Sequence, residues 1–146
     1  MLAKAVGFAP LVYLLLAQAD SSEPAKKELE RLQGTWVMAA LEVDGKDVGV
    51  DKVQGTTLTI KGEQYAVKVK DKVHGCVIRL DPKKDPPAID MIFTEPGGAE
   101  KVHKGIYKID GDTLRICRGL GADQERPGQL ATWPNTGYFV VTWKKQ

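Results

Sequence analysis

From Gly34 to the C-terminus, apolar and polar residues alternate with a period of two, interrupted at intervals by turn residues. That period places successive side chains on opposite faces of a strand. In the first run Trp36, Met38 and Ala40 alternate with Val37, Ala39 and Leu41 until Asp44-Gly45, a strong turn signal. Residues 57–60 are β-prone, and Lys61-Gly62-Glu63 turns them. Tyr65, Val67 and Val69 then alternate with Ala66, Lys68 and Lys70, and a fourth run over 74–80 stops at Asp81-Pro82. Residues 83–87 cannot be a central strand, because proline donates no ladder hydrogen bond. Residues 88–94 carry Ile89, Met91 and Phe93 on one face. Runs over 102–109 and 112–118 flank Asp110-Gly111, and 137–144 closes the chain after the long irregular stretch 119–136.

Eight such strands, joined by short links except for the last pair, predict an all-β fold. An eight-stranded antiparallel up-and-down barrel is the expected form, because closing the sheet on itself removes its edges. A two-sheet sandwich is the alternative. Before the strands, Leu29 and Leu32 stand three apart among Lys, Glu and Arg, which predicts a short helix over 26–33. Such a piece covers one end of a barrel; a frayed leader is the competing reading.

The N-terminus changes the picture of where the protein works. Lys4 is the only charge in residues 1–19, residues 5–16 are an apolar run, and Ala17-Gln18-Ala19 fits a small-x-small cleavage site. These are the parts of a secretory signal peptide. The apolar run is too short for a bilayer-spanning helix, which needs about 20 residues; an uncleaved anchor is the alternative. The expected organisation is a signal peptide over 1–19, a flexible leader over 20–27, and a barrel domain over 28–146. Export to the periplasm or outside the cell follows, with no membrane span after cleavage.

Composition narrows the functions rather than naming one. A net charge of +2, with Lys and Arg scattered along the chain, gives no pull toward nucleic acid. No nucleophile elbow, phosphate-cradling glycine loop or paired acids are found, so the expectation is a binding protein and not an enzyme, without cofactor or metal. Asp110 and Asp112 are explained by their turn, and Asp90 falls on the wet face of its strand. His74 and His103 read as surface histidines, since no local ligand spacing accompanies them. Cys76 and Cys117 are the only cysteines. Cys76 shares a face with Ile78 and Leu80, whereas Cys117 is out of phase with Leu114 and Ile116. One thiol should point inward and the other outward, so two free thiols are expected despite an oxidising compartment.

Several segments together resemble a known family. They are Leu32-Gln33-Gly34-Thr35-Trp36, Asp44-Gly45-Lys46, Leu80-Asp81-Pro82, Pro87-Ala88-Ile89-Asp90, Gly105-Ile106-Tyr107, Asp110 to Cys117, and Arg126-Pro127. In that order they are similar to an uncharacterised lipocalin-like domain expanded in planctomycete bacteria. The resemblance spans roughly 28–144 and implies an exported calycin-like barrel with no established activity. It makes Gly34 and Trp36 residues of the barrel base. Where lipocalins proper often carry an arginine over that tryptophan, this chain has Lys144 and Lys145, either of which could cover Trp36 by a cation–π contact, and Lys144 is assigned to the barrel base.

The ligand expected is small and apolar or amphipathic. Met38, Leu58, Tyr65, Val67, Met91, Phe93, Ile106 and Phe139 are the candidates to face it, with Arg126 and Trp133 at the mouth. The competing reading is a filled, monomeric barrel serving as a protein-interaction or inhibitor module in the cell envelope.

Overall fold

The computed structural model describes residues 22–146, so the signal-peptide assignment over 1–19 lies outside the described residues. The chain opens with helix α1 (Glu23–Leu32). Ser22 is its N-cap, its Oγ accepting from the Ala25 N–H at 3.3 Å, with Pro24 in the first turn and Arg31 in the last. Cap, proline and terminal charges all suit the helix ends and dipole. The helix therefore starts inside the stretch expected to be a flexible leader, because Ser22-Glu23-Pro24 is a helix start.

Nine strands follow: β1 (Gly34–Val43), β2 (Lys46–Asp47), β3 (Thr57–Lys61), β4 (Gln64–Val69), β5 (Lys72–Asp81), β6 (Ala88–Thr94), β7 (Glu100–Asp110), β8 (Thr113–Gly119) and β9 (Tyr138–Lys145). A one-turn helix, α2 (Val50–Val53), precedes β3. All neighbours pair antiparallel in the order β2-β1-β3-β4-β5-β6-β7-β8-β9, and β1 also pairs with β9. That last pairing closes eight strands into an up-and-down barrel. The two residues of β2 are only the return arm of a hairpin on β1, through Asp44 and Gly45, which both take positive φ.

One irregularity matters for the interior. The β1–β9 register shifts between Met38 and Ala40, a bulge that reverses the phase of the strand. Trp36 and Met38 face inward before it, and Leu41 and Val43 face inward after it.

The two ends of the barrel differ. At one, Leu32 and Trp36 are fully buried, and the Trp36 indole N–H donates to the Leu32 carbonyl at 3.0 Å. The Gln33 side chain donates to the Gly62 carbonyl at 3.0 Å and accepts from the Gly62 N–H at 2.7 Å. Tyr107 donates its hydroxyl proton to Glu28 at 3.1 Å. The Lys145 ammonium lies 5.1 Å from the centre of the Trp36 ring and reaches the Arg31 carbonyl at 3.3 Å. These contacts hold α1 across the end and satisfy carbonyls that its last turn leaves free. Lys145 thus covers Trp36; Lys144, one residue out of phase, bonds Thr113 at 2.6 Å instead. Gly34, with φ of 120°, takes a backbone conformation reserved for glycine as the chain turns from helix into strand.

Replacing Trp36 with Phe keeps a ring in the core but removes the bond to Leu32, leaving a buried carbonyl unpaired. The expected loss of folding stability is about 1–3 kcal/mol, read by chemical denaturation. A change under about 0.5 kcal/mol would show that the seal does not depend on this bond.

Candidate functional site

Toward the end away from α1 the barrel interior holds a partly open cavity of about 370 Å³. Its walls come from six strands. Met38, Leu41 and Val43 lie on β1, Tyr65 and Val67 on β4, and His74 and Cys76 on β5. Met91 and Phe93 lie on β6, Ile116 and Arg118 on β8, and Phe139, Val141 and Trp143 on β9, with Leu120 at the rim. At roughly 30 Å³ for each water-sized unit, the space takes about a dozen heavy atoms. Such a mainly apolar lining with a few polar groups is what small-molecule sites share.

Six of the residues singled out from the sequence line this cavity: Met38, Tyr65, Val67, Met91, Phe93 and Phe139. Leu58 points inward too but is fully buried in the core beneath it, opposite Trp36. Ile106 does not face the interior. It lies on the outer face of β7, buried with Cys117 and Val140 under Leu130 of the long loop. Its neighbour Tyr107 takes the inward position.

The two proposed mouth residues are also elsewhere. Arg126 is clamped to the outer wall, donating to the Gly105 carbonyl at 2.8 Å, the Ile89 carbonyl at 3.4 Å and the Asp90 carboxylate at 2.8 Å. Trp133 stands half exposed on the long loop, beside the β1–β2 turn, where Pro134 crowds Gly45. The loop after β8 is thus fastened to the barrel's outer side at Arg126 and Leu130 and to the β1–β2 turn at Thr132, while its first residue, Leu120, lines the cavity. Gln124 closes its neck, accepting from Gly121 N–H at 2.8 Å and donating to the Thr136 carbonyl at 3.0 Å, in space that Gly119 and Gly137 leave by lacking side chains.

Both cysteines are free and buried. Cys76 lines the cavity while Cys117 sits outside the wall, its thiol directed at the Ala131 carbonyl at 3.9 Å. The wall of the barrel separates the two thiols. Burial pushes each thiol up to about 11, so neither is a ready nucleophile at neutral pH. Tyr65 is likewise raised well above its ordinary value by burial, and the nearby Trp143 indole eases that shift slightly. The indole N–H itself makes no full hydrogen bond.

The polar feature that sequence reasoning passed over is Arg118. Its guanidinium lies 4.6 Å from the centre of the Phe139 ring and 5.6 Å from that of Phe93. Its Nη1 donates to the His103 ring at 2.9 Å and to the Gly119 carbonyl at 2.9 Å. His103 in turn packs edge-on against Phe93, ring centres 4.9 Å apart. An arginine can only donate, so His103 Nδ1 must present its lone pair and the ring must be neutral. Burial, and then the charge of Arg118, hold His103 below the usual histidine range. Gly105 makes room beside this cluster, since a Cβ there would stand 3.1 Å from Arg118 Cβ and 2.8 Å from the Cys117 carbonyl. The signal for Arg118 was available: it is in phase with Leu114 and Ile116, two core residues of the same strand.

Among the described residues no three His, Cys, Asp or Glu side chains form a group that could hold a metal ion. No helix among them is long and apolar enough to cross a membrane. No family model, curated protein or solved structure matches the chain.

Proposed function

We propose that this protein is an exported, lipocalin-like barrel that binds one small apolar or amphipathic ligand in its interior, without chemical conversion of that ligand. The observation that carries the reading is the cavity of about 370 Å³ inside a barrel whose other end is sealed by α1. Eight strands leave room for side chains or one small ligand, and here the inward side chains of the upper half stop short of filling the space. A filled barrel acting through its outer surface accounts less well for that void. Export rests on the Lys4 start, the apolar run and Ala17-Gln18-Ala19. Kinship with the lipocalin-like domains rests on the segments around Gly34-Thr35-Trp36 and Asp110 to Cys117.

Decan-1-ol, neutral and of fitting size, tests the binding. Calorimetric titration should give one saturable site with a negative heat-capacity change, the mark of apolar burial. Val67→Trp, which places an indole in the cavity, should weaken that binding about tenfold or more. Absence of a saturable site, or unaltered affinity in a folded Val67→Trp protein, would contradict the reading. For export, the intact mass of protein recovered outside the cytoplasm should correspond to a chain beginning at Asp20; a mass retaining residues 1–19 would not.

A further inference from the structure

Resting on that reading, we infer that the ligand carries a single anionic headgroup of carboxylate type, held by the guanidinium of Arg118. The charge inventory of the cavity points there. Arg118 lines it, and no Asp or Glu does. None of the ion pairs among the described residues includes Arg118. The acidic groups whose charge would act on it are Tyr65 and Cys76, and burial keeps both neutral. The remaining neighbour, His103, is neutral by the hydrogen-bond argument above. A part-buried cation ringed by aromatic faces and neutral groups is desolvated without a counter-charge, an arrangement stabilised by bringing in an anion.

The hydrogen bonds of the guanidinium say how that anion is received. Both protein bonds use Nη1, which fixes the plane of the group between Phe93 and Phe139. Nη2 and Nε make no hydrogen bond within the described residues. The only fully buried polar side-chain atom there without a partner is Trp143 Nε1, so neither of these nitrogens is sealed off. Two parallel N–H donors on one edge match the two oxygens of a carboxylate. With a headgroup at Arg118, the apolar space lined by Met38, Met91, Val141 and Trp143 is left for a body of about ten carbons. The ligand class is therefore a compact anionic amphiphile.

Three ten-carbon probes separate the possibilities: decanoate, decan-1-ol and decyltrimethylammonium, each titrated calorimetrically into the full-length mature protein at pH 8. Decanoate should bind about 10- to 100-fold tighter than decan-1-ol, the range expected for a charged hydrogen-bonded contact, with the ammonium weakest. Arg118→Gln should bring decanoate to near parity with decan-1-ol. Arg118→Lys should fall between, since it keeps the charge but not the flat double donor. Decan-1-ol binding as tightly as decanoate to the unaltered protein overturns the inference while leaving the binding barrel intact, and needs no variant to fold. Tightest binding by the ammonium overturns it equally. If none of the three binds saturably, the barrel's binding role falls and this inference with it.

Discussion

The structure depends on a seal. A closed eight-stranded barrel has two open ends, and its interior is dry only if at least one is stopped. Here the stop is α1, whose buried Leu32 presses on Trp36 while the indole N–H takes the Leu32 carbonyl. Gln33 ties the helix end to the β3–β4 turn, and Lys145 holds the Arg31 carbonyl while lying over the Trp36 ring. Trp36, Leu58, Ile60 and Tyr107 pack this end, and the cavity described lies in the other half of the barrel.

In that half the balance of forces changes. The lower core is apolar and filled; the upper interior is apolar and partly empty, with one cation at its wall. Burial of Arg118 is tolerable because two aromatic rings, one imidazole lone pair and one carbonyl replace some of its water. None of these partners carries a negative charge. Beyond Leu120 at the rim, Arg126 and Leu130 fasten the long loop to the outer wall. Outer wall and inner cavity are thus separate systems, which is also why Cys76 and Cys117 cannot meet.

Much of this fold was legible in the alternation of residues. Strands with one wet face, such as β4 and β5, give an unambiguous phase, and the opposite orientations of the two cysteines followed from phase alone. Phase failed where both faces are buried. Ile106 and Tyr107 are adjacent and apolar, and only the covering of the outer face by Leu130 decides which of them points in. It also failed at the bulge near Ala39, where one extra residue turned Leu41 and Val43 inward. The paired lysines 144 and 145 posed the same problem in miniature. Arg118 was missed for a different reason. Its phase with Leu114 and Ile116 places it inside, but alternation alone carries no signal that an inward position holds a charge.

The central claim is that a ligand occupies the interior and not the apolar outer patches. Only three methionines occur in the chain, and the two within the described residues, Met38 and Met91, both line the cavity. The most direct test is a methyl NMR spectrum of methionine-labelled protein spanning residues 20–146 titrated with decan-1-ol. Both methyl resonances should shift together and saturate at one equivalent. Binding detected by calorimetry with both resonances unmoved would place the ligand outside the barrel and contradict the account.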